Sequence, residues 1–289
     1  MSGPLVFGRT GQVARELKHL ASGQALELLA LGRDAADLAQ PGACAAAIHT
    51  HRPSAVINAA AYTAVDRAEM DEPLATAING AALAEMALAC SALKIPLVHI
   101  SSDYVFAGTC HQPWAPGDIA LPANAYGRSK WVGEEGIRAS GCAHAILRTS
   151  WVFSPHGANF VKTMLCLSDT RDQIRVVDDQ IGGPTPARAI AAACLAIAGQ
   201  LQEAPEKTGT YHFSGAPNAS WCSFARAIFS LAGRPTCVQA ISTNAYPTPA
   251  ARPLNSRLDC NTTNSVFGLA RPDWHAGLKE CLTDLEVYR

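Results

Sequence analysis

The chain has 289 residues, 48% hydrophobic and 16% charged, with a formal net charge of −1. That is enough apolar material for one large domain or a domain with a smaller lobe, and the near-neutral balance gives no general attraction for nucleic acid or an anionic membrane. With no run of about 18 uninterrupted apolar residues and no basic segment leading into an apolar signal core, a cytoplasmic protein is expected.

Leu5-Val6-Phe7 is a short apolar run that stops at Gly8, and Gly8 to Ala14 leads into the helix-forming stretch Arg15 to Leu20. Strand, glycine loop and helix in that order suit a dinucleotide. Gly8 and Gly11 let the backbone approach a pyrophosphate at the helix N-terminus, Thr10, Gln12 and Val13 lie in the same loop, and Ala14 permits close packing on the strand. The next strand, 26–31, ends at Gly32-Arg33-Asp34, where the adenosine ribose of such a cofactor is read. A carboxylate there accepts a 2′-hydroxyl and an arginine matches a 2′-phosphate; Arg33 inclines the reading to NADPH, with NADH left open. Asp37 and Leu38 fall near the adenine.

A helix over 41–51 and the strand Val56-Ile57 precede Ala59, Ala60, Ala61 and Tyr62, whose small residues leave space for a flat cofactor at a strand's carboxyl end. Helix 73–93 has the spacing of a core helix, with Asn79 in reach of a strand end. A buried strand over 96–100 runs into Ser101-Ser102-Asp103-Tyr104. Residues 107–125 read as a Pro-, Gly- and Ala-rich loop before a helix over 126–139 and a strand over 145–153. This alternation predicts an α/β fold with a doubly wound parallel sheet. Beyond it come a helix at 158–168, a strand near 174–177, a turn at 179–185, a helix over 187–201, the stretch 211–215, a helix at 220–232 and a terminal helix from about 274. The expected division is a dinucleotide-binding domain, 1–155, to which 179–201 returns, and a smaller substrate lobe of 156–178 and 202–289.

Chemistry centres on Tyr126-Gly127-Arg128-Ser129-Lys130. Residues four apart share a helix face, so the phenol of Tyr126 and the amine of Lys130 can serve one ligand. Reducing a ketone needs a hydride donor and an acid for the developing alkoxide, and a nearby cation makes a phenol a better acid. Ser102 is the hydroxyl best placed to hold the carbonyl. The 10 cysteines show no Cys-x-x-Cys spacing, and none of the 9 histidines forms a His-x-x-x-His pair with a neighbouring carboxylate, so neither disulfides nor a metal site is expected.

These segments resemble the dTDP-4-dehydrorhamnose reductases, a family of extended short-chain dehydrogenases with a Rossmann sheet. The resemblance rests on GRTGQVA at 8–14, NAAAYTAVDRAE at 58–69, SSDYVFAG at 101–108, YGRSK at 126–130, RTSWVF at 148–153, NFV at 159–161, DDQIGGPT at 178–185 and RPLNSRLD at 252–259. It implies hydride transfer from NAD(P)H to C4 of dTDP-4-dehydro-β-L-rhamnose, with Ser102, Tyr126 and Lys130 as the catalytic set. It further implies Val65, Asp103, Tyr104 and Trp151 at the sugar, and Asn159, Arg252 and Asn255 near the nucleotide or its phosphates. The implied partner is a small nucleotide-sugar, for a monomer or weak homodimer. The chain departs from the family's pattern at Ser102, commonly threonine, and at Ala14, commonly glycine. Where some members use glutamates to share magnesium across a dimer, Glu16 matches one position but Arg188 occupies another, so no dimer of that kind is expected. Two other readings stay open: a non-catalytic NADP-binding subunit like the regulatory subunit of methionine adenosyltransferase, and a 4-ketoreductase for another nucleotide-deoxysugar.

Overall fold

The structure, a computed structural model, describes residues 3–288. Its central sheet has six parallel strands in the order Leu29–Leu31, Leu5–Phe7, Val56–Asn58, Leu97–Ser102, His144–Thr149 and Gly209–His212. The strands are nearly continuous apolar runs because both faces are covered. Val6, Ile57, Val98 and Leu147 pack on one side with Leu17, Ile190 and Ile197. Leu5, Phe7, Val56, Leu97 and Ile146 pack on the other with Ile48, Leu83, Met86 and Ile137. From Leu5–Phe7 the chain winds outward to the edge strand and then returns past it to Val56–Asn58. The carboxyl ends of those two neighbours therefore part at the switch point, where ligands bind in such sheets.

A second apolar core joins Phe153, Val161, Met164, Ile174, Phe224, Ile228, Trp274 and Leu278. Beside it, Ile181–Gly182 pairs with Ala219–Ser220 and with Asn255–Ser256. Gln173–Val177 pairs in parallel with Cys237–Ile241, a strand the sequence reading did not anticipate.

Several expectations need correction. Gly209–His212, assigned to the smaller lobe, is the sixth strand of the large sheet. The unanticipated helix Asn261–Phe267 follows it there, with Phe267 edge-on to Tyr211 at 4.7 Å between ring centroids. The strand expected over 145–153 breaks at Ser150-Trp151, because Trp151 adopts φ 50°, and Val152–Phe153 then pairs with Thr185–Pro186. Helix 73–93 starts at Glu72 and carries a π-helical turn, Ala77–Ala81. By length and composition Glu72–Leu93 could cross a bilayer, but its Leu83, Met86 and Cys90 face is part of the core.

One charged cluster is sealed inside. Arg148 and Glu134 are 1% and 0% exposed and meet at 2.6 Å. Ser101 Oγ donates to Glu134 Oε1 at 2.6 Å, Arg138 Nη2 donates to Oε2 at 2.7 Å, and the Arg148 guanidinium lies 4.9 Å over the Phe106 ring. Burial opposes the Glu134 charge, but Arg148, Ser101 and Arg138 together hold its carboxyl below the usual range. Arg148→Leu, which leaves that carboxylate buried without its main partner, is expected to lower unfolding stability by about 3–5 kcal/mol in urea titrations. The double variant Glu134→Gln/Arg148→Leu is expected to recover part of the loss.

Candidate active site

The carboxyl ends of the strands open into a cleft of about 890 Å³. Its floor begins at Gly8, held at φ 114° with its Cβ position 3.2 Å from the backbone carbonyl of Ala59, a conformation and approach that suit glycine. The helix Gln12–Gly23 starts from Gly11, and no side chain caps its first amides. Thr10, Gly11, Gln12 and Val13 line the cleft, as do Arg33, Asp37, Leu38, Ala59, Ala60, Ala61, Tyr62 and Val65. Asn79 fixes the neighbouring backbone: its Oδ1 accepts from Tyr62 N at 2.8 Å and its Nδ2 donates to Tyr62 O at 3.0 Å.

At the far end of this row, Arg9 pairs with Asp34 at 2.9 Å. That bond holds the Asp34 carboxyl below the usual range, whereas the Arg33 side chain is 81% exposed and only 3.9 Å from Asp37. The opposed signals at positions 33 and 34 thus resolve, because the carboxylate is already matched and Arg33 extends as a cation.

Ser102 closes the strand Leu97–Ser102, and its Oγ accepts from Tyr104 N at 3.1 Å and donates to Asp103 Oδ1 at 3.0 Å. The same hydroxyl favours the ionised form of the Tyr126 phenol. A hydroxyl has one proton, and Ser102 gives it to the Asp103 carboxylate. Burial pushes the Asp103 carboxyl up to about 6, with Ser256 and Ser102 partly offsetting it. Tyr104 stands edge-on to Tyr126, ring centroids 5.5 Å apart.

The Lys130 amine, expected to hold the phenol's pKa down, turns here to Ile100 O at 2.8 Å and His99 Nε2 at 3.1 Å. Burial therefore governs and pushes the phenol up to about 12, against the pull of Ser102. Burial also brings Lys130 down to about 7, with Glu134 opposing.

Three expected binding residues lie outside the cleft lining. Asn159 caps the helix Phe160–Ser168 and donates to Gln12 Oε1 at 2.9 Å and Ser154 O at 2.8 Å. Asn255 latches the 107–125 loop, with Nδ2 donating to Gln112 O at 2.7 Å and its backbone oxygen accepting from Trp114 Nε1 at 3.1 Å. Arg252 pairs with Asp66 at 2.7 Å, although its charge reaches Tyr104. The structure instead adds Arg9, Thr149 and Trp221 to the cleft wall. Trp221 stacks on Trp151 with centroids 3.7 Å apart; its position at the start of the helix Trp221–Leu231 carries no sequence signal for that contact.

Among the described residues, the buried side-chain oxygens without a partner are Tyr62 Oη, Asp103 Oδ2 and Thr149 Oγ1. All three residues line this cleft, and buried polar groups are otherwise almost always satisfied. The glycine floor, uncapped amides and exposed Arg33 fit a phosphorylated dinucleotide, and the unpartnered oxygens fit a polar substrate beside it.

The family model of the RmlD substrate binding domain matches residues 4–287. A dTDP-4-dehydrorhamnose reductase of Sinorhizobium fredii is 42% identical over 275 residues, 93% of each chain. The crystal structure of a dTDP-4-dehydrorhamnose reductase from Clostridium acetobutylicum superposes with a TM-score of 0.92 at 33% identity, covering 98% of this chain and 99% of that one. One from Bacillus anthracis, in complex with NADP, gives a TM-score of 0.90 at 32% identity, covering 98% and 100%.

Gly182 lies beneath Trp151, and a Cβ there would come within 2.7 Å of the indole. Gly182→Ala is expected to displace Trp151 from Trp221, seen as changed tryptophan fluorescence, and to cost about 1–3 kcal/mol of stability in thermal or urea unfolding.

Proposed function

Because the chain belongs to the dTDP-4-dehydrorhamnose reductase family, we infer that it reduces the C4 ketone of dTDP-4-dehydro-β-L-rhamnose to dTDP-L-rhamnose, with NADPH. The observation that carries the reading is the meeting of Ser102, Tyr126 and Lys130 with the unpartnered Tyr62, Asp103 and Thr149 oxygens in one cleft. Bound there, NADPH supplies the hydride. Gly8 to Val13 take its pyrophosphate, Arg33 its 2′-phosphate, and Ala59 to Tyr62 leave room between adenosine and nicotinamide.

Tyr126 gives its proton to the oxygen of the reduced carbonyl, and the resulting phenolate is stabilised by the protonated form of Lys130. Ser102 holds the carbonyl oxygen; a preorganised donor of this kind contributes roughly 2.7–4 kcal/mol. Serine in place of threonine keeps that hydroxyl, so activity is retained. Val65, Asp103, Tyr104 and Trp151 orient the sugar. Asn159, Arg252 and Asn255 act by holding the rim segments around it. The non-catalytic and other-sugar readings are not favoured, since the curated relatives are dTDP-4-dehydrorhamnose reductases.

At the surface, Arg188 reaches Glu16 at 3.1 Å, Asp284 at 2.9 Å and Glu280 at 3.6 Å. An arginine amid these carboxylates supplies the positive charge that a shared cation would bring. Light scattering is expected to give the same mass with and without magnesium.

The decisive assay follows NADPH oxidation with dTDP-4-dehydro-β-L-rhamnose generated in place by an epimerase. Turnover is expected to need that substrate and to fall roughly a hundred- to ten-thousandfold in Tyr126→Phe, with NADPH affinity kept. Normal turnover in that variant would sink the assignment of Tyr126.

A further inference from the structure

Lys130 is 1% exposed, and the hydrogen bonds around it can be given directions from a group that has no choice. Ala60 N–H is a donor, and it donates to Asn58 Oδ1 at 3.2 Å. Asn58 therefore presents its Nδ2, another donor, to His99 Nδ1 at 3.0 Å, so His99 Nδ1 must accept. Burial, followed by the neighbouring lysine, holds the His99 imidazolium well below its ordinary range. A neutral imidazole has one proton, which leaves it on Nε2, 3.1 Å from Lys130 Nζ. An ammonium has three donors and no acceptor, so facing that N–H it would set donor against donor. A neutral amine accepts from His99 and donates to Ile100 O at 2.8 Å.

We propose that Asn58 and His99 set the protonation of Lys130, favouring a neutral amine that accepts from His99 Nε2 and donates to Ile100 O, and so place the alkaline limit of the reduction. The other groups facing this cluster do not reverse the assignment. Glu134, one turn further along the helix, favours the ammonium, but its oxygens already accept from Ser101, Arg138 and Arg148. Tyr126, one turn back, is a protonated phenol, and Asp103, on the turn after the strand, acts on Tyr126. Burial brings the lysine to about 7, in accord with the geometry. The cation that stabilises the Tyr126 phenolate is then present at low pH and withdrawn as pH rises through neutrality, so the reduction carries an alkaline limb set by Asn58 and His99.

Asn58→Asp keeps an acceptor for Ala60 N–H and turns the second oxygen into an acceptor for His99 Nδ1–H. The imidazole proton then moves to Nδ1, and Nε2 accepts from an ammonium. The alkaline limb of kcat/KM, measured with NADPH and the ketosugar, is expected to move up by about one unit or more. A purely structural Asn58 would lower kcat/KM at every pH without moving the limb, and that result in a folded variant overturns the proposal. Independently of turnover or of the variant's folding, ¹⁵N-histidine NMR of the unmodified protein, with His99 assigned through His99→Gln, is expected to show Nδ1 unprotonated and Nε2 protonated. A proton on Nδ1 overturns the proposal. The kinetic arm rests on the reductase reading; the NMR arm does not, so failure of either is told apart.

Discussion

The Glu134 carboxylate is the point on which the site depends. It accepts from Ser101 on one strand, Arg148 on the next and Arg138 on its own helix, so it pins the helix Ala125–Ala139 against the strands at one register. Ser102 follows Ser101 directly, and Lys130 and Tyr126 lie one and two turns back from Glu134 on the helix. A slip at this anchor would move hydroxyl, phenol and amine together. A buried ion pair is weak evidence for net stability; its use here is to fix relative position.

The contrast between core and cleft shows where the fold holds back satisfaction. In the core, buried charge meets its partners, as Glu134 does. In the cleft, Tyr62, Asp103 and Thr149 keep unpartnered oxygens, the Asp103 carboxyl rises to about 6 and Lys130 falls to about 7. Displaced titrations in a concave site mark groups that work through proton transfer or charge. Here one cause, burial, moves the Asp103 carboxyl and the Lys130 amine toward neutrality from opposite sides, while it moves the Tyr126 phenol away from it.

Periodicity made the frame legible. Apolar runs gave the strands, the Gly8–Ala14 loop gave the dinucleotide end, and the four-residue spacing put Tyr126 and Lys130 on one helix face. What stayed hidden depends on contacts between distant segments. Arg9 pairs with Asp34 across 25 positions, which decides how Arg33 is read, and Trp221 meets Trp151 from another element altogether. Cys237–Ile241 alternates only weakly, with a single buried residue, Val238, so pairing with Gln173–Val177 and not its own pattern makes it a strand. Asn159 and Asn255 stand in motifs that carry the family resemblance, yet their amides are consumed by cap and latch bonds that no spacing reveals.

The sheet and the smaller core divide the labour unequally. Hydroxyl, phenol and lysine come from two adjacent elements held by Glu134, whereas the aromatic wall needs Trp151 from a strand end, Gly182 from the short strand Ile181–Gly182 and Trp221 from a helix start. Trp151 is kept at φ 50°, a costly backbone state for a bulky residue that persists only when its surroundings over-determine it. The close indole stack above and the glycine below provide that constraint. The aromatic wall is therefore set by three separate segments, while the arrangement of Ser102, Tyr126 and Lys130 is anchored elsewhere.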